Sequence, residues 1–372
     1  MAHPAGIGAV KPDGWAYQRS PMIVYWELTN ACGLACRHCR ATAMPDAAPG
    51  ELTTAQAIAL LDDITGFADP ALGEALPHVV MTGGDPLRRH DLAELIAAAQ
   101  ARGIGVSLAP AVTPLLTREK IFWMKEIGIQ AISLSLDGSD AAFHDGVRMV
   151  PGTFDATLEA LDTAAEAGLP VQVNTLVTAV TAADLPAIHE LLSAHVLQQW
   201  SLFFLISIGR GTELTELTPG EAERVLIWAQ SVGRGSAFRV KTTEAMQYRR
   251  LGAAALLRAG KSKEDVEAHP MARAFGIRDG NGIVFVSNTG DVTPSGFLPL
   301  AVGNVKDSSL VSLYRNDPML RSLRDPDQFK GRCGTGENHD WCGGSRARAY
   351  AWTGDPLESD PLCPYVPKGG SL

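Results

Sequence analysis

Between about residues 22 and 208, short apolar runs alternate with stretches of helical periodicity. The runs at 22–28, 78–81, 104–109, 130–136, 171–177 and 201–207 predict strands. Strands that read as nearly continuous apolar runs are those buried on both faces, as in a parallel sheet covered by helices. The segments 54–64, 92–101, 118–127, 154–167 and 183–194 predict the helices between them; in the first, Ile58, Leu61 and Ile64 recur at three-residue steps. Thr53 stands where a cap for that helix belongs, and Gly103 and Gly168 follow the second and fourth. Six strand–helix units in a row predict an α/β fold, a TIM-like partial (β/α)6 barrel whose site lies at the carboxyl ends of the strands.

Beyond Gly209 the rhythm breaks. Residues 219–232 predict one more helix, 233–270 are basic and irregular with a helical stretch around 253–257, and from Gly282 glycine and proline become dense. Short strands are expected at 283–287 and around Val292, and a helix over 310–323. The chain thus divides into an N-terminal extension (1–20), a core barrel (21–235), a linker or helical segment (236–280) and a small α+β C-terminal unit (281–372) that carries three cysteines.

Composition narrows the function. The 372 residues contain no run approaching the ~18–20 apolar residues of a membrane helix, so no membrane partner is expected. A net charge of −9 argues against a nucleic-acid footprint. The first twenty residues lack a basic-then-apolar signal, so a cytoplasmic location is expected. In that compartment clustered cysteines read as metal ligands rather than disulfides.

Cys32, Cys36 and Cys39 form a Cys-x3-Cys-x2-Cys run directly after the first strand. Thiolates select iron–sulfur clusters, zinc or Cu(I), and three ligands leave one metal position free, whereas a closed zinc site or ordinary ferredoxin cluster takes four. With this spacing the chain resembles the radical S-adenosylmethionine (radical SAM) superfamily. The resemblance implies that the three cysteines hold three irons of a [4Fe-4S] cluster. It implies that the fourth iron chelates SAM, and that reductive cleavage yields a 5′-deoxyadenosyl radical that takes hydrogen from a substrate. It also implies a low-potential electron donor such as flavodoxin or ferredoxin. A local zinc knuckle is the plain alternative.

Further motifs carry the resemblance. Gly83, Gly84 and Asp85 follow the second strand and resemble the Gly-Gly-Glu-Pro motif that meets the SAM amino group, with Asp in place of the commoner Glu. Ser133 and Ser135 belong to a Ser-Leu-Asp-Gly segment and fall on one side of a strand; family analogy adds Arg148 for the SAM carboxylate, Asn174 for the ribose and His38 beside the adenine. The tail, with Cys333, Cys342 and Cys363 around Cys342-Gly343-Gly344-Ser345-Arg346-Ala347-Arg348-Ala349-Tyr350, resembles the SPASM-type auxiliary-cluster domain. It is most similar to the version in haem d1 maturation and the alternative haem route. Gly336 and Ser295 stand where relatives carry cysteine, so at most one auxiliary cluster fits, with His339 or Asp340 as further ligand candidates. Arg346 and Arg348 are expected to tune that cluster or bind carboxylates, and the basic patch from Lys241 to Arg250 to meet an acidic substrate.

The expected activity is radical modification of a tetrapyrrole side chain. A peptide-modifying maturase, a small-metabolite enzyme and a non-catalytic iron–sulfur scaffold are the alternatives.

Overall fold

A computed structural model describes residues 17–69 and 75–367, so most of the expected N-terminal extension and residues 368–372 lie outside the described residues. The six expected strands form β1 (Ile23–Glu27), β2 (His78–Thr82), β3 (Val106–Leu108), β4 (Ile132–Ser135), β5 (Val171–Val177) and β6 (Gln199–Phe204). They are parallel neighbours in that order. Two strands extend the set. β7 (Arg239–Thr243) pairs parallel with β6, and β8 (Ile283–Val286) pairs parallel with β1. β9 (Asp291–Thr293) and β10 (Gly303–Asn304) continue beyond β8 antiparallel. One ten-stranded sheet therefore draws strands from the segments expected as core, linker and C-terminal unit.

The helices follow from local chemistry. α1 (Thr54–Thr65) opens on a reciprocal capping box between Thr53 and Gln56 and buries Ala57, Leu60, Leu61 and Ile64. Each large aliphatic buried in this way stabilises by about 1.5–3 kcal/mol. α2 (Leu92–Ala101) and α3 (Arg118–Glu126) fall where the periodicity puts them. α4 (Ala141–Arg148) was not expected; Asp140 caps it, and Met149 ends it in the left-handed region at φ 62°. α5 (Thr153–Glu166), α6 (Leu185–Ser193) and α7 (Pro219–Gly233) complete the wrap, the last with a Thr218–Glu221 capping box and proline at its first position. α8 (Gln247–Arg258) contains and extends the helical stretch expected around 253–257, and α9 (Lys263–Ala268) lies in the part read as irregular. The single helix expected over 310–323 is two, α10 (Leu310–Asn316) and α11 (Pro318–Arg324). Asp317 caps the second and Pro318 cannot continue the first. α12 (Gly331–Thr335) and α13 (Arg346–Thr353) lie in the tail.

Alternation sorts the strand side chains. Val24 and Trp26 of β1, Val79 and Met81 of β2, and Ile132 and Leu134 of β4 are buried in the main apolar core. The alternate positions face inward, and several of them are polar. Ser135, Asn174, Ser201 and Lys241 share one rung across β4 to β7. On this inner side Gln172 donates to Asn174 at 2.7 Å, and His78 meets Ser107 at 2.8 Å.

Candidate active site

The loop after β1 carries Cys32, Cys36 and Cys39, all free thiols. Two glycines clamp it. A Cβ at Gly84 would lie 2.4 Å from the Ala31 carbonyl oxygen and 2.7 Å from that of Asn30. A Cβ at Gly209, whose φ is +53°, would lie 2.7 Å from the Cys39 carbonyl oxygen and 2.6 Å from that of Arg40. Real Cβ contacts do not come that close, so both ends of the loop pass glycines because only glycine leaves room. Gly84 N–H donates to Thr29 O at 2.8 Å and Asp85 N–H to Ala31 O at 2.7 Å. These N–H groups are thus spent on holding the cysteine loop, and a ligand ammonium, itself a donor, would need the carbonyls of this turn.

A cavity of about 270 Å³ opens on this loop at the carboxyl ends of β1 to β6. Of the residues expected at the site, Cys32, Cys36, Cys39, His38, Gly83, Gly84, Ser133, Ser135, Arg148 and Asn174 all line it. Asp85 does not. Its fully buried carboxylate accepts from Leu87 N–H at 3.1 Å and Thr113 Oγ1 at 2.9 Å, so it braces the turn behind the cavity wall. Burial raises the Asp85 pKa in spite of those bonds.

An ion-pair chain runs beneath the loop. The Asp137 carboxylate, 1% exposed, pairs with Arg148 and accepts from Leu176 N–H at 2.7 Å. Arg148 in turn reaches Cys36 Sγ through Nη1 at 3.6 Å. Burial works against the Asp137 charge, but Arg148, together with smaller contributions that include the Leu176 N–H, outweighs it and holds the carboxyl below its usual range. His144 on α4 accepts from Asp137 N–H at 3.0 Å, which leaves its proton on Nε2. Burial, with Arg148 adding to it, pushes His38 and His144 down to about 4, so both rings are neutral at pH 7. His38 Nδ1 and Arg148 Nε are buried with no hydrogen-bond partner among the described residues.

Sequence reasoning missed Asp137, His144 and Arg210, which also line the cavity. Arg210 follows β6 in Gly209-Arg210-Gly211; its place just beyond the carboxyl end of a strand was the available signal. Its backbone N–H donates to Cys39 O at 3.2 Å, while its Nε and Nη2 are buried without partners among the described residues. Phe203, Ile206, Ile208 and Phe297 make the apolar side of the same cavity.

The tail arranges its residues differently from expectation. Ser295 is hydrogen-bonded to Asp279, whose other oxygen receives the Arg346 and Ala347 N–H groups that open α13. Arg348, fully buried, bonds Glu216, Leu205 O and Glu244 O, and Arg346 bonds Pro356 O and Glu358 O. Both arginines are therefore struts that tie the tail together and to the barrel, not open carboxylate receptors. In the basic patch, Arg250 pairs with Glu223 and Glu244 bonds Ser345, while among the described residues no side-chain bond or ion pair engages Lys241. The Cys342 thiol interacts electrostatically with Cys333 and with Cys363. Burial pushes Cys342 up to about 11, with Cys333 adding to it, and Cys363 up to about 12, with Cys342 adding to it. Asp360 N–H donates to Cys333 Sγ at 3.4 Å. Among the described residues no three His, Cys, Asp or Glu side chains converge as the ligands of a single ion do.

The donor chemistry fits an iron–sulfur cluster with a small polar ligand: three free thiols on one wall, and orphaned polar atoms at His38 and Arg148 facing the same space. Residues 26–192 match the family model of the Radical SAM superfamily. An AdoMet-dependent heme synthase of Methanosarcina barkeri is 35% identical over 357 residues, covering 95% of this chain and 99% of its own. A pre-heme d1 synthase of Dinoroseobacter shibae is 30% identical, covering 92% of this chain and 85% of its own. Among solved structures, Streptococcus suis SuiB bound to S-adenosylmethionine superimposes with a TM-score of 0.69 at 14% identity, covering 93% of this chain and 78% of that one.

Proposed function

The chain belongs to the radical SAM superfamily, in the group of the haem-biosynthesis enzymes, and is an iron–sulfur, SAM-dependent enzyme; we propose that it modifies a carboxylate-bearing side chain of a tetrapyrrole. The observation that carries this reading is the end-to-end similarity to a heme synthase, which includes the cysteine tail as well as the barrel. The cavity supports it: one side is apolar, with Phe203, Ile206, Ile208 and Phe297, as a flat macrocycle requires.

In this reading Cys32, Cys36 and Cys39 hold the cluster, and SAM lies over Gly83, Gly84, Ser133, Ser135 and Asn174, bordered by His38. When bound, the cluster and SAM supply the one-electron chemistry that removes a substrate hydrogen. The protein's part is placement and exclusion of water. Arg148, neutralised by Asp137, stands beside Cys36 and offsets thiolate charge at that corner. The neutral His38 ring offers surface without adding a charge. Cys333, Cys342 and Cys363 hold a second cluster in the tail, and a flavodoxin or ferredoxin delivers the electron.

The test is anaerobic turnover of reconstituted protein with SAM, dithionite and an iron porphyrin bearing propionates, with peptide substrates in parallel. Mass spectrometry should show porphyrin that has lost carboxylate carbon, together with 5′-deoxyadenosine. SAM cleavage that leaves the porphyrin intact while a peptide is altered would sink the tetrapyrrole reading.

A further inference from the structure

Three arginines line the cavity, and two have anions of their own. Arg148 is held by Asp137 and reaches Cys36 Sγ. Arg40 pairs with Glu27 at 2.5 Å and lies over the Phe285 ring. Arg210 has neither. Its Nε and Nη2 are closed off from solvent, and no acceptor among the described residues reaches them. Arg210 is half-buried, and two guanidinium nitrogens held out of water without an acceptor are costly. The position is nevertheless tightly built. Gly209 fits against the Cys39 and Arg40 carbonyls with no room for a side chain, and the Arg210 N–H is bonded to Cys39 O. The same loop that fixes the cysteines thus fixes where this guanidinium stands.

Resting on the reading of this cavity as the SAM and substrate cavity, we propose that Arg210 is the carboxylate-binding residue of the site, its planar fork receiving a carboxylate of a bound small molecule. Two molecules present that chemistry there: SAM, through its methionine carboxylate, and the substrate, through a propionate. Arg148 is the poorer receptor, because two of its three nitrogens already face Asp137 and Cys36. The apolar side chains of Phe203, Ile206, Ile208 and Phe297 lower the local dielectric, which strengthens a guanidinium–carboxylate pair. Geometry favours arginine for this task, since its parallel N–H groups match the two carboxylate oxygens.

The experiment uses cluster-loaded protein, wild type and Arg210→Gln, in two equilibrium titrations under anaerobic conditions. One measures the Kd of SAM, the other the Kd of the propionate-bearing iron porphyrin and of its methyl ester. Loss of a charge-assisted pair should raise the affected Kd roughly 10- to 150-fold. A rise confined to SAM assigns the methionine carboxylate. A rise confined to the free-acid porphyrin, with the ester unchanged, assigns the substrate. If wild-type protein binds no porphyrin while the variant loses SAM affinity, the tetrapyrrole reading fails and the carboxylate site stands. Affinities within about two-fold of wild type for both ligands would overturn the proposal. Should the Gln variant not retain iron, Arg210→Lys is read by the same titrations. It keeps the charge without the fork, so a several-fold loss is expected, and unchanged affinities again overturn the proposal.

Discussion

Asp137 offers the sharpest test of how the cysteine loop is supported. Asp137→Asn preserves size and an oxygen to accept from Leu176 N–H, but removes the charge opposite Arg148. Both partners are buried, at 1% and 9% exposure, so the orphaned guanidinium cannot recover its solvation in place. Removing one member of such a pair costs about 3–5 kcal/mol. Replacing both, as Asp137→Asn with Arg148→Gln, leaves no uncompensated charge and should cost less than the two single changes together. The assay is urea unfolding of reduced, metal-free protein, comparing midpoints at a common slope. The pH dependence has a defined sign. The folded-state carboxyl is held below its unfolded value, so its stabilisation is present at pH 7 and fades as pH falls through the carboxylate range. The penalty of Asp137→Asn should shrink accordingly in acid. A single-variant loss below about 1 kcal/mol, or a double variant whose loss equals the sum of the singles, would refute the idea that this pair props the loop.

Gly84→Ala should displace the Asn30–Ala31 backbone and cost about 1–3 kcal/mol, with weakened SAM binding, whereas Gly146→Ala, with nothing within 4 Å of the added carbon, should be neutral or stabilising; equal urea midpoints for the two would remove the clamp. Replacing Cys32, Cys36 and Cys39 together with Ala should leave roughly four irons per chain on the tail cysteines, and iron-free protein would withdraw the second cluster. Burial pushes His78 down to about 4 in the folded state, so wild-type protein should lose about 2 kcal/mol from this ring between pH 7 and pH 5, and His78→Gln should lose less over that interval; identical acid sensitivity of the two proteins would contradict this.

Much of the barrel was legible because its outer faces are apolar and its helices carry a clear stripe. β7 was not. Arg-Val-Lys-Thr-Thr turns polar side chains toward the interior of the barrel, and only the β6 partner reveals it as a strand. α4 escaped for a related reason. Its buried residues are His144 and Arg148, so its inward face has no hydrophobic signature, and a glycine interrupts it. That the cysteines, glycines and serines of the motifs line one cavity was foreseeable from motif spacing. Arg210 was not, because its character comes from the absence of neighbouring anions, which no local pattern encodes. Asp85 was misjudged because a motif fixes a position in the chain but not the direction of a side chain. Arg346 and Arg348 looked like site residues, and the fold uses them as joints within the tail and between tail and barrel.

The pairing of β8 with β1 has a consequence for how the protein is made. Val24 is paired with Val284, so β1 waits for about 260 further residues before its second edge is covered. At ~5–20 residues per second that interval lasts roughly 13–50 s, during which the newborn strand presents an open flank to neighbouring nascent chains. Iron loading that preceded synthesis of β8 would have to occur on a barrel still missing one of its walls.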